Sequence, residues 1–120
     1  MNLEMLLAER EIYRKIAAFA RAMDRRDWQT LETMLAEDVS ANLGAGEIAG
    51  RGEIVGFIRS FLDKCGTTQH LIGNVVINVE GDSATSQAYV SDIHLGKDTK
   101  SNLSFKTLGD YNDEWVCLEG

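Results

Sequence analysis

The pattern of apolar residues changes once along this chain, after Gly66, and the change restricts the folds open to it. Before that point Ile12, Ile16, Phe19 and Met23 recur at steps of three and four residues, which predicts an amphipathic helix. After it, the segments TTQHLIGNVVINVEGDSATSQAYVSDIHLG and SNLSFKTLGDYNDEWVCLEG alternate as β-strands do. Helices followed by antiparallel strands predict an α+β domain with helices on one face of a curved sheet.

Shorter signals divide the two halves further. Asp27 is predicted to cap a short second helix that carries Trp28, Leu31 and Leu35. The segment DVSANLGAGEIAG predicts a short hairpin, and a third helix is expected with one apolar side: Ile54, Phe57, Ile58, Phe61 and Leu62. The long strands are expected to turn near Gly81-Asp82, with a bulge near Gly109 in the last strand. A helical layer over such a sheet can enclose a cone-shaped cavity.

Composition excludes several classes of partner. The 120 residues suit a single domain over 1–120, and the net charge of −7 argues against a nucleic-acid partner or an anionic membrane. No apolar run reaches membrane-spanning length, and the Glu- and Arg-rich start predicts a helix rather than a signal peptide. Cys65 and Cys117 lie far apart with no ligand spacing, as expected of reduced thiols in a cytoplasmic protein.

Asp24, His70 and His94 carry the chemical hypothesis. Histidine titrates near neutral pH, and a carboxylate can fix its tautomer and stabilise the imidazolium. Asp24 ends the first helix, while His70 begins one long strand and His94 lies near the end of the next. A two-residue turn would place His70 opposite Ile93, whereas a three-residue loop would place His70 opposite His94. The sequence does not choose between these registers.

Each of the three residues also has a structural explanation. An Asp after a helix is usually solvated or caps the next helix, and a single strand histidine is more often a hydrogen-bonded structural residue. The spacing alone therefore leaves the catalytic and the structural interpretation of the three residues both open.

Several segments together resemble one family across nearly the whole chain. FARAMDRRDWQTLETMLAEDV, AGRGEIVGFI, TQHLIGNVVINVEGDSATSQAYV and GDYNDEWV are similar, in order and spacing, to the SnoaL-like group of the nuclear-transport-factor-2-like superfamily. The resemblance implies a cone-shaped barrel of three helices on a curved antiparallel sheet. Within the group the chain is most similar to the scytalone dehydratase and hexachlorocyclohexane dehydrochlorinase families. That similarity implies catalytic roles for Asp24 and His70, and for His94 as the second histidine of the dehydratase.

The chain departs from the family pattern at three places. Phe19 stands where many members have Tyr, and Cys117 stands where some have Arg. The sequence given stops at Glu119-Gly120, where members turn into a last strand, so either residues beyond Gly120 complete the sheet or this member closes its barrel differently.

The resemblance implies a cofactor-independent lyase or isomerase acting on a small, largely apolar cyclic or polyketide-like molecule. His70 would be the base, Asp24 would orient it, and His94 would be a second acid or hold a water. The alternative is a non-catalytic ligand-binding or assembly module with the same cavity. No metal or other cofactor is expected, and a homodimer or homotrimer is expected through the open sheet face. The predicted cavity lining is Phe19, Trp28, Phe57, Phe61, Ile72, Tyr89 and Cys117.

Overall fold

Three helices precede three long strands in the computed structural model, which describes residues 2–100 and 103–117. The helices are α1 (Leu3–Arg25), α2 (Trp28–Thr33) and α3 (Arg51–Leu62). A hairpin of β1 (Ser40–Asn42) and β2 (Glu47–Ala49) separates α2 from α3, and the long strands are β3 (Thr68–Glu80), β4 (Ser83–Leu95) and β5 (Ser104–Val116). This is the α+β arrangement that the sequence predicted. Within the described residues, no helix combines the length and apolar character needed to cross a membrane.

The first two helices begin at the side chains that the sequence favours as caps. The Asn2 side chain accepts a hydrogen bond from the Met5 N–H at 2.9 Å at the start of α1. Asp27 caps α2 as predicted, because its carboxylate accepts from the Thr30 N–H at 3.2 Å and the Thr30 hydroxyl at 2.7 Å. The two acidic residues near this junction therefore have separate positions, Asp24 in the last turn of α1 and Asp27 as the cap of α2.

Helix α1 lies along one face of the sheet, which we call the inner face. Its buried Ile12 and Ile16 form one apolar cluster with Ala84 and with residues of β3 and β5: Ile72, Val75, Ile77, Val79 and Trp115. The C-terminal end of α1 joins a second cluster with α2 and α3, whose buried members are Ala22, Met23, Leu31, Val55 and Leu62. Because both clusters include α1, the helix couples the helical layer to the inner face of β3.

The long strands form an antiparallel sheet in the order β3-β4-β5. Along β4 every second residue is buried, and the buried set, Ala84 to His94 in steps of two, marks the inner face. Within the described residues the far edge of β5 pairs with no strand, so the sheet is open. The expectation about a missing last strand after Glu119-Gly120 concerns residues outside the described ranges.

The hairpin of β3 and β4 has a two-residue turn but also a bulge. Glu80 pairs with Ser83 across Gly81-Asp82, and the register then shifts by one residue between Gly73 and Val76. Asn74, inside the shift, has φ 51°, in the left-handed region that Asn tolerates better than most residues. The extra residue reverses the inner and outer positions of β3 beyond it.

The bulge that the sequence predicted near Gly109 is absent. Pairing between β4 and β5 runs without a break from Ser83 opposite Val116 to Leu95 opposite Ser104. Gly109 faces Val90, and a Cβ at position 109 would lie 2.9 Å from Val90 Cγ1. The glycine is there because the buried Val90 side chain occupies the space, not because the strand bends.

Candidate active site

Asp24 is held at the junction between the end of α1 and the beginning of β3. The residue that follows α1, Arg26, takes the left-handed conformation at φ 58°. Its guanidinium donates to the Met23 carbonyl at 2.9 Å, to the Gly66 carbonyl at 2.7 Å and to Thr68 Oγ1 at 2.9 Å. One side chain thus ties the helix end to the strand that carries His70, which fixes where the Asp24 carboxylate can reach.

The carboxylate of Asp24 accepts three hydrogen bonds, two of them from His70. Its Oδ1 lies 2.6 Å from His70 Nδ1 and accepts from the Thr68 hydroxyl at 2.9 Å. Its Oδ2 accepts from the backbone N–H of His70 at 3.0 Å. The expected contact between Asp24 and His70 is therefore present. Since a carboxylate can only accept, Nδ1 carries the proton and the other ring nitrogen, Nε2, of a neutral His70 keeps its lone pair.

Asp92 lies on the other side of the His70 ring. It is directly opposite His70 in the β3–β4 ladder, and its Oδ2 is 3.9 Å from His70 Nε2. The hydroxyl of Thr107 on β5 donates to Asp92 Oδ1. Asp92 was not predicted as a site residue. Its place two residues before His94 was the available signal, because alternate strand residues share a face.

Both registers considered for the hairpin are wrong at its histidine end. The structure places Asp92 opposite His70 and Thr68 opposite His94. The β3 bulge accounts for the difference, since it adds one residue to the two-residue-turn register. Both histidines still reach the inner face, with their ring centroids 5.7 Å apart.

His94 is enclosed by a carboxylate and two aromatic rings. Its Nδ1 lies 3.1 Å from Asp92 Oδ1, yet the geometry does not make a hydrogen bond, and among the described residues this buried nitrogen has no hydrogen-bond partner. Phe105 stacks on the ring with centroids 4.4 Å apart and planes 4° apart, and Phe61 meets its edge at 5.8 Å. Burial lowers the pKa of the His94 imidazole below its ordinary value, while the nearby Asp92 acts in the opposite direction.

Tyr111 adds a phenol that sequence reasoning missed. It lies opposite Ala88 in the β4–β5 ladder, so it shares the inner face with Asp92 and Thr107. Burial, followed by the charges of Asp92, Asp113 and Asp24, raises the pKa of Tyr111 to about 12. The phenol therefore stays protonated across the neutral range. The sequence could have indicated that Tyr111 shares a face with Thr107, because the two residues are four positions apart on the same strand.

The seven predicted lining residues fall in different places. Phe61 touches His94, as described above. Phe19 and Trp28 pack against the cluster shared by the three helices, where the Arg59 guanidinium lies 5.9 Å from the Trp28 ring centre. Ile72 packs with the α1 cluster on the inner face, and Phe57 is a partly exposed residue of α3.

Two predicted lining residues lie away from the site. Tyr89 is on the outer face of β4, 60% exposed, because it is an odd number of positions from His94. Cys117 is exposed beside the β3–β4 turn, where its N–H donates to the Asp82 carbonyl at 2.8 Å. His70 and His94 lie at the opposite end of these strands, so Cys117 does not line the site.

A family model described as the SnoaL-like domain matches residues 4–120. The chain belongs to the SnoaL-like domain family. The expected SnoaL-like assignment is therefore confirmed. Among curated protein sequences, none matches this chain.

Solved structures share the fold of this SnoaL-like domain. A candidate scytalone dehydratase from Novosphingobium aromaticivorans superposes with a TM-score of 0.82 at 22% identity, over 96% of this chain and 77% of that one. A candidate dehydratase of the NTF2-like family from Streptomyces avermitilis has a TM-score of 0.76 at 20% identity, over 88% and 83%. A candidate aromatic ring hydroxylase, also from N. aromaticivorans, has a TM-score of 0.76 at 25% identity, over 86% and 73%.

Proposed function

We propose that this SnoaL-like domain is a cofactor-independent lyase or isomerase whose reaction begins when His70 removes a proton from carbon. The substrate class is a small, largely apolar cyclic or polyketide-like molecule with an activated C–H bond. The observation that carries the proposal is the 2.6 Å contact between Asp24 Oδ1 and His70 Nδ1. It fixes the tautomer that a general base needs, with the lone pair on Nε2.

The surroundings of His70 favour a charged imidazolium once the proton has moved. Asp24 is beside Nδ1, and Asp92 is 3.9 Å from Nε2, so two carboxylates flank the ring. The His70 side chain is only 6% exposed, which limits the screening of these charges by water. Positive charge that develops on His70 during proton transfer is therefore stabilised in place, without movement of the protein.

The remaining steps need a hydrogen-bond donor and a surface for a flat ring. In an elimination, the electron pair of the broken C–H bond forms the double bond, while a hydroxyl or halide departs with the electron pair of its bond to carbon. A departing hydroxyl takes a proton from an acid, a role that His94 can fill as the imidazolium, the form that the Asp92 carboxylate favours. The Tyr111 phenol can donate a hydrogen bond to an oxygen that gains charge. The partly exposed rings of Phe61 and Phe105 beside His94 suit an apolar cyclic substrate. The two fold relatives described as candidate dehydratases support the same reaction class.

Proton abstraction can be measured without knowing the natural substrate. The probe is deuterium exchange from D₂O into the acidic C–H bonds of α-tetralone and β-tetralone, followed by NMR. Loss of water from a cyclic β-hydroxy ketone is followed by absorbance in parallel. We expect His70→Ala and Asp24→Asn each to lower the catalysed rate by ~10²–10⁴-fold, the usual loss when a general base is removed.

Controls separate the base from general damage. The double variant should be no slower than His70→Ala, because Asp24 and His70 act as one unit. His94→Ala should have a smaller effect if it only positions a leaving group or a water. Asp63→Asn removes an exposed carboxylate that pairs with Arg59, and this variant should keep full activity. Wild-type exchange in His70→Ala would eliminate the mechanism, and ligand binding without turnover in the wild type would favour the binding-module alternative.

A further inference from the structure

The inner face brings together three side chains of the kinds that bind transition metals. One ligand atom each from His70, Asp92 and His94 lie within 4.8 Å of one another. The three side chains are 6%, 10% and 5% exposed, so the group is almost entirely withdrawn from water. Sequence spacing gave no sign of it, because His70 is on β3 while the other two are on β4.

The hydrogen bonds of this group leave it short of positive charge. Asp24 accepts a hydrogen bond from His70 Nδ1–H, so the Nε2 lone pair of His70 faces Asp92 Oδ2 at 3.9 Å, and both of these atoms are acceptors. Asp92 accepts a hydrogen bond from the Thr107 hydroxyl. The buried Nδ1 atom of His94 has no hydrogen-bond partner in the part of the chain that the structure describes, and it is 3.1 Å from Asp92 Oδ1. Buried acceptors that face each other carry a desolvation cost that a cation between them removes.

We propose that His70 Nε2, Asp92 and His94 Nδ1 form a binding site for one divalent transition cation of the Zn²⁺ class. Two imidazoles and one carboxylate are a common ligand set for Zn²⁺, which leaves a further position for solvent. Ligands at about 2.0–2.2 Å in a tetrahedron lie roughly 3.3–3.6 Å apart, so the observed separations need small side-chain shifts.

The neighbouring residues already support two of these ligands as they do in known metal centres. A metal-binding histidine usually donates its second N–H to a carboxylate, which fixes its orientation, and Asp24 takes that role for His70. Ligating carboxylates are themselves hydrogen-bonded, and the Thr107 hydroxyl takes that role for Asp92. The same Asp24–His70 contact thus serves a base when the site is free and a ligand when it is filled.

The two uses exclude each other, because one lone pair cannot bind a metal and accept a proton. The cation-bound domain is therefore without its base, and the cation acts as an inhibitor of proton abstraction. This consequence rests on the proposed function, whereas cation binding itself does not.

The test uses Co²⁺ as a spectroscopic substitute for Zn²⁺. Chelator-treated, tag-free protein in a Cys65→Ser, Cys117→Ser background is titrated with Co²⁺, so that thiols cannot contribute to binding. We expect visible d–d absorption that saturates at one Co²⁺ per chain and is bleached by Zn²⁺. Isothermal titration with Zn²⁺ gives the stoichiometry and affinity independently, and neither measurement requires a substrate.

Matched variants identify the ligands. Asp92→Asn and His94→Gln should each lose the saturable signal, and Asp24→Asn should weaken binding by ~10–100-fold, as expected for a partner behind a ligand. Asp63→Asn should bind as the wild type does. Two conservative ligand variants, each checked by its circular dichroism melt, allow for one of them failing to fold. No saturable Co²⁺ spectrum in the wild type, or an unchanged spectrum in folded Asp92→Asn or His94→Gln, would overturn the proposal.

Discussion

At the scale of single residues, Tyr111 adds a phenol that the family resemblance did not predict. Phe19, where many relatives carry Tyr, packs among the helices and has no hydroxyl to offer. Tyr111 is on the inner face of β5, and the carboxylates of Asp92, Asp113 and Asp24 all contribute to its raised pKa. The phenol of this chain therefore comes from β5 and not from α1.

The buried phenol leads to a prediction about alkaline stability. The pKa of Tyr111 rises from its ordinary value of 10.0 to about 12 in the folded chain, so the unfolded chain loses this proton first as pH increases. The contribution of Tyr111 to the free energy of unfolding is therefore full below pH 10 and is lost as pH rises to about 12. Urea unfolding at intervals from pH 9 upward should show a steeper decline for wild type than for Tyr111→Phe. Parallel declines would contradict the burial of this phenol.

The same variant tests the role of Tyr111 in the proposed reaction. If the phenol donates to an oxygen that gains charge, Tyr111→Phe should lower the exchange rate by about 10²-fold, as does the loss of one such donor elsewhere. Tyr89→Phe is the matched control, because Tyr89 is on the outer face of the sheet. Equal rates for wild type and both variants at neutral pH would remove Tyr111 from the mechanism.

Which site residues could be predicted depends on how each one reaches the site. Asp24 and His70 were identified from the resemblance and from their positions at a helix end and a strand start. Asp92 was not predicted, because a carboxylate on a strand of alternating polar and apolar residues is expected to face solvent. Only the structure shows that Asp92 is on the inner face. The parity of β4 was sufficient to exclude Tyr89, since His94 and Tyr89 are five positions apart and must face opposite sides.

At the scale of elements, the β3 bulge decides which way His70 points. With the observed two-residue turn and no bulge, His70 would pair with Ile93 on the outer face. The shift between Gly73 and Val76 brings Asp92 opposite His70 instead. Strand length and the position of the turn were predictable from alternation and from Gly81-Asp82. The position of the bulge was not predicted from the sequence. It depends on the conformation of one residue, Asn74, and a Gly-Asn pair is also compatible with a regular strand.

Substitution at Asn74 tests the conformation on which this register depends. Its φ of 51° is acceptable for Asn and easier for Gly, but it crowds a β-branched side chain. We expect Asn74→Val to lower the free energy of unfolding by about 1–2 kcal/mol, the usual cost of the left-handed conformation. Asn74→Gly should be destabilised less than Asn74→Val by urea unfolding, because glycine has no Cβ to crowd the backbone at positive φ. The control is Asn78→Val, because Asn78 is also an exposed Asn of β3 but lies outside the bulge. This variant should not be destabilised. Equal losses of stability at both positions would contradict the left-handed conformation of Asn74.

At the scale of the whole molecule, the helices cover only one side of the sheet. The outer face exposes a row of apolar side chains across the three strands, with Leu71 and Tyr89 each 60% exposed and Leu108 87% exposed. Three strands of 13 residues present a face of about 43 by 14 Å, on the order of 600 Å². That area approaches the ~800 Å² that each partner buries in a standard protein interface. The sequence predicted both the helices and an open sheet face, but the strand positions exposed on that face follow only from the packing of α1 and from the β3 bulge.

The homo-oligomer expected from the sequence stays a prediction, and the exposed outer face gives it a specific test. Wild-type protein at micromolar concentration should have the mass of a dimer or trimer by light scattering after size exclusion. Leu108→Glu places a charge in the centre of the outer apolar row, and burying it against a second copy would cost several kcal/mol, so this variant should be monomeric. Leu3→Glu is the matched control, since Leu3 is 69% exposed on α1 and away from the sheet face. A wild type that is monomeric at this concentration would contradict association, and loss of the oligomer in Leu3→Glu alone would move the interface to the helix.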